Sequence, residues 1–155
     1  MSVDRGGGGG GSTGVGALGI DHVLLMMPVR GEREARRFYG NVLGLREVER
    51  PAALADRAGC WFVGPGGTAI HLRVDQRFIA AKKAHVCLVV ADLERARTAL
   101  TAGGASIVED DADTGFARCY TADPFGNRIE LVDAGDAGFT ERARAVDGDA
   151  APSAG

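Results

Sequence analysis

The chain has 155 residues, of which 45% are hydrophobic and 25% are charged, and its formal net charge at pH 7 is −3. These values are ordinary for a soluble globular protein, and a negative net charge gives no support for binding to nucleic acid or to an anionic membrane surface. No apolar run approaches the roughly 20 residues of a membrane-spanning helix. The N-terminus lacks the basic-then-apolar order of a secretion signal, so a cytoplasmic location is expected.

Both ends of the chain have compositions that do not build a core. Residues 1–17 contain an unbroken run of glycines and are predicted to form a flexible tail. Residues 135–155 are rich in Ala, Gly and Asp and are predicted to form a second flexible tail, with one candidate helix at 140–146. The predicted domain is therefore 18–134, which is long enough for one hydrophobic core.

The first predicted module, 19–75, contains one strand, one helix and three further strands. Ala35, Phe38, Tyr39 and Val42 have helical spacing, and Gly44 is placed to end that helix. In chain order, the predicted segments are a strand at 19–26, the helix at 32–43 and strands at 46–49, 60–63 and 68–74.

The same order is predicted to repeat in a second module, 84–133. Its segments are a strand at 85–90, a helix at 93–100 and strands at 106–109, 116–121 and 128–132. The modules also match as sequence, because Asp-His-Val at 21–23 aligns with Ala-His-Val at 84–86, and Ala-Ile-His-Leu at 69–72 aligns with Arg-Ile-Glu-Leu at 128–131. The repeat predicts two modules of one type, each strand-helix-strand-strand-strand.

The last two strands flank the segment Asp-Pro-Phe-Gly-Asn at 123–127, whose composition favours a tight turn. A hairpin centred on that turn places Tyr120 opposite Glu130 and Arg118 opposite Val132. Strand alternation puts Glu130 on the face that its two apolar neighbours do not use. Because a carboxylate is rarely buried without a partner, Glu130 is predicted to have one.

The three histidines of the chain and Glu130 occupy repeat-related positions. His22 matches His85, and His71 matches Glu130, so a pseudo-twofold pairing of the modules would bring all four together. Three imidazoles and one carboxylate suit a divalent transition metal. The alternative is that each histidine is a hydrogen-bonded core residue, which would leave Glu130 without a partner.

The repeat, the FYGNVLGL of the first helix and the DPFGNRIEL hairpin resemble the vicinal oxygen chelate superfamily. That superfamily includes lactoylglutathione lyase (glyoxalase), extradiol dioxygenases and metal-free bleomycin-resistance proteins. The resemblance implies an α+β, glyoxalase-like fold in which two paired βαβββ modules form a cupped mixed sheet. It also implies a homodimer that acts on a small molecule, with the metal held by His22, His71, His85 and Glu130.

His71 departs from the pattern of the lyase, which has Glu at this position. Three His and one Glu would leave a divalent ion with a formal charge of +1, which should strengthen it as a Lewis acid. If His71 lies outside the inner sphere, the remaining two His and one carboxylate suit Fe(II) and oxygen chemistry.

Further side chains are expected to line the cup. Alternation and the resemblance place Cys60 and Phe62 toward it and Trp61 toward the other layer. The candidate substrate-binding residues are Phe62, Arg73, Arg118 and Tyr120. The cysteines, Cys60, Cys87 and Cys119, lack zinc-site spacing and are expected to be small buried residues.

The predicted function is that of a metal-dependent lyase or isomerase of glyoxalase type. A divalent ion (Ni, Co, Zn, Fe or Mn) would polarise two neighbouring oxygens of a small substrate, while Glu130 moves a proton and Tyr120 lies beside it. One alternative is an Fe(II) extradiol-type dioxygenase, which Tyr120 near the metal favours and the lack of an extra domain disfavours. The other is an antibiotic-sequestering protein of the bleomycin-resistance type, against which the full ligand set argues.

Overall fold

The computed structural model describes residues 17, 19–109, 115–136 and 138. Most of both predicted tails, including the candidate helix at 140–146, lies outside the described residues. Within the described part of the chain, no helix has the length and apolar character needed to cross a membrane.

Each module forms its own four-stranded sheet, and the described backbone shows no strand pairing between the two sheets. The elements of the first module are β1 (Val23–Met27), α1 (Glu32–Ala35), β2 (Arg46–Val48), β3 (Gly59–Val63) and β4 (Ala69–Val74). Those of the second are β5 (His85–Val90), α2 (Leu93–Ala102), β6 (Ile107–Glu109), β7 (Arg118–Ala122) and β8 (Arg128–Asp133).

The two sheets have the same topology. Their strand orders are β1-β4-β3-β2 and β5-β8-β7-β6. In each sheet the first strand of the module pairs in parallel with the last, and the remaining pairs are antiparallel. The βαβββ repeat and the α+β fold class are therefore confirmed. The hairpin register is confirmed as well, since Tyr120 lies opposite Glu130 and Arg118 opposite Val132.

The first helix differs from the regular helix that the spacing predicts. After α1 the chain continues as a π-helix, Arg36–Val42, and a bond of 2.9 Å runs from the Leu43 amide to the Phe38 carbonyl, five residues back. Gly44 then adopts a φ of 70°, as a residue that ends a helix often does. The widened turn buries Phe38 and Tyr39 side by side.

One hydrophobic core lies between the sheets and the helices, and both modules contribute to it. In the first module Tyr39 stacks on Phe62 of β3 with the ring centroids 5.5 Å apart. In the second module Ile129 and Leu131 of β8 are fully buried. Each sheet therefore has one face in the core and one face, here called its outer face, turned away from it.

The predicted facing of β3 is wrong. Cys60 and Phe62 are 1% and 0% exposed and lie on the core side, whereas Trp61 is paired directly with His71 and shares its outer face. The reason is that the π-helix packs on the Phe62 side of the sheet. The prediction that all three cysteines are buried is also wrong in part, because Cys87 is exposed while Cys60 and Cys119 are buried.

The tight turn of the second module also joins the two modules. The Asp123 carboxylate, 4% exposed, accepts hydrogen bonds from the Tyr39 hydroxyl at 2.8 Å, the Asn127 side-chain amide at 2.8 Å and two backbone amides. The same Asn127 amide donates to the Met26 carbonyl of β1 at 2.8 Å. Burial, followed by the nearby Asp123 charge, raises the Tyr39 pKa far above its usual value. This network holds the turn against the first module.

Candidate metal and substrate site

The predicted ligands lie on the outer faces of the two sheets. His71 of β4 alternates with the core residues Ile70 and Leu72, and Glu130 of β8 alternates with Ile129 and Leu131. The outer faces therefore carry two candidate half-sites. The first half-site is His22, His71 and Trp61, and the second is His85, Glu130, Tyr120 and Arg118.

The half-sites are related by the internal repeat in three dimensions. In the first sheet the neighbours of His71 across the strands are Leu24 and Trp61. In the second sheet the equivalent neighbours of Glu130 are Cys87 and Tyr120. The strand pairing thus confirms the sequence match of His71 to Glu130 at the level of register.

Glu130 has the partners that its burial requires. It is 7% exposed, and its carboxylate lies 3.0 Å from Nε2 of His85 and 3.1 Å from Nη1 of Arg118. Arg118 compensates the buried negative charge with a charge-assisted hydrogen bond. The partners come from β5 and β7, the two strands on either side of β8.

His85 has a contact at each of its two ring nitrogens. Its Nδ1 lies 2.8 Å from the Lys83 carbonyl and its Nε2 lies 3.0 Å from the Glu130 carboxylate, so both ring nitrogens face acceptors. A protonated His85 ring can donate to both acceptors. A neutral ring that donates from Nδ1 instead points the Nε2 lone pair at the Glu130 carboxylate, and a cation bound between them would be a ligand partner for both. The carbonyl also fixes the ring orientation, as outer-shell partners of metal-binding histidines do. These two residues therefore fit a metal.

The first half-site is a stack of three rings. The His71 ring lies 3.8 Å from that of Trp61 and 4.1 Å from that of His22, centroid to centroid. Burial, followed by the positive charge of His22, lowers the pKa of the His71 imidazole. A neutral imidazole is the form that binds metal, so the donor chemistry fits. The His22 and His71 rings are stacked face to face, however. One of the two rings would have to turn before nitrogens of both could bind the same ion.

Within one chain the ligands come together as two pairs. The described residues include no group of three or more His, Cys, Asp or Glu side chains arranged to hold a metal ion. His22 and His85 do line one shared cavity of about 410 Å³ beside β1 and β5. The four-ligand site therefore stays a prediction, with each half of it assembled on its own sheet.

The predicted substrate-binding residues have separate surroundings. Arg73 is exposed on the outer face of the first sheet, and Arg118 is engaged with Glu130. The Tyr120 ring is half-buried, and the Arg128 guanidinium lies 3.8 Å above it. Phe62 is in the core, so the prediction that it faces the cup is wrong, and Trp61 occupies the outer-face position instead.

Some side chains at the half-sites have no counterpart among the predicted residues. Arg50 and Arg57 share a cavity with His71 and Trp61. Cys87 is exposed next to Glu130 on the neighbouring strand. The correct alternation phase would have identified Trp61 and Cys87, whereas the two arginines lie outside the strands, where no periodicity signals a position.

The lowered pKa of His71 leads to a testable expectation. The imidazole should titrate below the usual histidine pKa of about 6.5, and His22→Ala should raise the pKa because it removes a neighbouring positive charge. Imidazole proton shifts followed by NMR across pH 4–9 would measure both. His85→Ala, on the other sheet, serves as the control and should leave the His71 curve unchanged. A His71 pKa that does not respond to His22→Ala would contradict the stacked arrangement.

The fold and the half-sites can be compared with known proteins. A family model described as a glyoxalase-like domain matches residues 25–132. A protein from Bacillus anthracis assigned to the glyoxalase family is 41% identical, with 76% of this chain and 95% of that chain covered and a TM-score of 0.71. No curated protein matches the chain.

Two more distant structures share the fold. The fosfomycin resistance protein FosX from Listeria monocytogenes is 15% identical, with 81% of this chain and 98% of that chain covered and a TM-score of 0.66. TnmS3, an antibiotic binding protein from Streptomyces sp. CB03234, is 20% identical, with 76% and 98% covered and a TM-score of 0.57. Because the family model spans most of the chain and the Bacillus anthracis protein is 41% identical, this chain belongs to the glyoxalase-like domain family of the vicinal oxygen chelate superfamily.

Proposed function

We propose that this chain is a divalent-metal-dependent enzyme of glyoxalase type, acting on a small substrate with two neighbouring oxygens. The observation that carries the proposal is the His85–Glu130 pair, in which an imidazole nitrogen and a carboxylate oxygen lie 3.0 Å apart on an outer face. That separation is close to the spacing of two ligands on one ion with bonds of about 2.0–2.2 Å. The repeat-related pair His22 and His71 occupies the equivalent position on the other sheet.

The ligands would be His22, His71, His85 and Glu130. A bound divalent ion would polarise the two substrate oxygens, which makes the C–H bond on the carbon beside them more acidic. Glu130 would accept the proton from that carbon and deliver it to the neighbouring carbon, so that the substrate is isomerised without gain or loss of atoms. Arg118, 3.1 Å from the carboxylate, would balance the negative charge of Glu130 before the proton is accepted and again after it is delivered. Tyr120, directly across from Glu130, lies beside this transfer.

A second copy of the chain would complete the site. Each half-site lies on an outer face, and these faces also expose large apolar side chains: Leu24 is 46% exposed, Val89 54% and Val108 58%. In a twofold symmetric homodimer, the first half-site of one chain can face the second half-site of the other, which forms two equivalent sites. Covering the apolar side chains would favour that association.

The homodimer can be tested by mixing two inactive variants. His71→Ala removes a ligand of the first half-site, and Glu130→Gln removes the base of the second. If sites form between chains, a one-to-one mixture should recover about a quarter of the parent activity, because half of the random dimers carry one intact site of two. Light scattering on the parent should give a mass near twice 16.1 kDa. A parent that is monomeric at micromolar concentration, or a mixture without recovery, would contradict this assembly.

The metal proposal has a direct test of its own. Elemental analysis after dialysis against Ni(II), Co(II), Zn(II), Fe(II) or Mn(II) should find about one ion per chain, and EDTA should lower the melting temperature. His71→Ala should weaken metal binding more than about tenfold, because a four-ligand site loses one of its donors. Trp61→Leu, which changes the stack but not the donor set, is the matched control. Equal affinity in His71→Ala and the parent would place His71 outside the inner sphere.

That last outcome would favour a second candidate, an Fe(II) extradiol-type dioxygenase. The observation in its favour is that His71 is held between Trp61 and His22, which leaves His22, His85 and Glu130 as a two-histidine, one-carboxylate set. An oxygen electrode with a catechol panel and Fe(II)-loaded protein tests this candidate. Oxygen uptake with Fe(II) alone, together with no turnover of thiol–aldehyde adducts, would replace the glyoxalase-type proposal. Absence of both activities would favour a binding protein.

A further inference from the structure

A cluster of arginines lies beside the first half-site. Arg50 follows β2, Arg57 lies in the loop between β2 and β3, and Arg73 is in β4, two residues after His71. All three line one cavity of about 170 Å³, here called the arginine cavity. Trp61 and His71 form part of the same wall. The cavity therefore lies next to the candidate ligands but is built mainly from residues that the metal does not need.

The charge of the arginine cavity is unbalanced. The chain carries a net charge of −3, yet three arginines line this one cavity. Among the residues that the structure describes, none of these arginines forms a salt bridge with Asp or Glu. Elsewhere in the same module, arginines such as Arg36 do pair with a carboxylate, at 2.9 Å from Glu47. Like charges gathered without a counterion favour the binding of an anion.

Part of the cavity is preorganised. A nitrogen of the Arg50 guanidinium donates to the backbone carbonyl of Leu54 at 3.1 Å and also contacts the carbonyl of Arg57. These bonds hold the half-buried Arg50 side chain against the loop that carries Arg57. A guanidinium that is already positioned loses less conformational entropy when it binds an oxyanion. Leu54 and Trp61 supply apolar wall beside it.

We propose that the arginine cavity binds an oxyanion group of the substrate, a carboxylate or a phosphate, carried on an apolar stem. The proposal rests on the proposed function in taking this ligand to be part of the substrate. The planar donors of arginine match both oxyanions, and the apolar wall matches the stem. A volume of about 170 Å³ is below the roughly 300–1,000 Å³ of a complete ligand site, so the cavity accommodates one substituent. Its position beside His71 would direct the remainder of the substrate toward the candidate ligands.

Binding in the arginine cavity can be followed by the fluorescence of a tryptophan that the chain already contains. Trp61 is the only tryptophan, and it lines the cavity, so its fluorescence should respond to an occupant. Metal-free, full-length protein is titrated with benzoate, with phenyl phosphate and with benzamide, the neutral isostere of benzoate. Benzoate or phenyl phosphate should produce a saturable change that weakens at higher ionic strength, and the tighter of the two identifies the oxyanion. Benzamide that binds as tightly as both anions would overturn the proposal.

Arginine variants test whether the fluorescence change arises from binding in the arginine cavity. Arg57→Gln combined with Arg73→Gln should weaken anion binding about tenfold or more, because two charge-assisted contacts are lost. Both residues are exposed, so the fold should survive, and an unchanged melting temperature checks this. Arg37→Gln combined with Arg95→Gln, an equal charge change at two exposed positions outside the arginine cavity, should bind as the parent does. A double variant that binds as tightly as the parent would overturn the subsite. Because the titration is metal-free, this result and the metal-binding result can fail independently.

Discussion

Replacement of Glu130 by Gln is expected to lower kcat by about 10²–10⁴-fold, the usual contribution of a positioned general base. Gln keeps the size of the side chain and a carbonyl oxygen for Arg118, but it cannot accept a proton. The neighbouring side chains would not replace it, since Arg118 is a cation and Nε2 of His85 would bind the metal. The measurement is turnover of a hemithioacetal or a related 2-oxo-aldehyde adduct by protein loaded with Ni(II) or Co(II), without oxygen.

Two controls separate the base from the ligand. Metal content is measured on the same Glu130→Gln preparation, and it should fall much less than kcat does. Glu49→Gln makes the same chemical change at an exposed position and should keep parent activity. If kcat falls only in proportion to metal content, Glu130 serves as a ligand and another group moves the proton.

Replacement of Asp123 by Ala is expected to destabilise the fold by roughly 3–5 kcal/mol, because several buried donors lose their acceptor at a cost of about 1–3 kcal/mol each. The change leaves the Tyr39 hydroxyl, the Asn127 side-chain amide and two backbone amides without their acceptor at a buried position. It also releases the turn from the first module, so the effect exceeds that of a surface turn. Urea unfolding of parent and variant measures the difference in free energy of unfolding.

A graded variant keeps the test informative if Asp123→Ala fails to fold. Tyr39→Phe removes one donor and should cost about 1.5–3 kcal/mol, the value of a hydrogen bond to a charged group. Tyr120 is the only other tyrosine and lies half-buried on an outer face, so Tyr120→Phe should stay within about 0.5 kcal/mol of the parent. Equal stability of the two Phe variants would show that the Tyr39–Asp123 contact does not stabilise the docking of the modules.

Local patterns were enough to predict the strands, the second helix and the register of the hairpin. The strand expected at 85–90 appears as His85–Val90, and Tyr120 lies opposite Glu130 as a hairpin centred on the turn requires. Both depend on neighbours along the chain, where strand alternation and turn residues act directly. The internal repeat allowed positions far apart in the chain to be matched, because two modules of the same topology place matching residues at matching points of their sheets.

Local patterns did not predict which side of a strand faces the core, and β3 is the example. Alternation established that Trp61 and Phe62 point to opposite sides, but not which side meets the helix. That choice depends on the π-helix, whose Tyr39 stacks on Phe62. The π-helix itself was not predictable from spacing, because Phe38, Tyr39 and Val42 fit an ordinary helix equally well.

The sequence by itself determined the two βαβββ modules, the family resemblance and the candidate ligands His22, His71, His85 and Glu130, because each depends on residues and motifs that occur in the same order in both halves of the chain. Only the tertiary structure decided which groups meet from distant parts of the chain. Tyr39 and Asp123 are 84 residues apart, and Arg50 and Arg57 reach the cavity beside His71 from a loop without periodicity. The tertiary structure also decided that the ligands form two pairs, one on each outer face. The sequence of a module determines the distances within its own sheet, whereas the relative placement of the two sheets depends on packing between the modules.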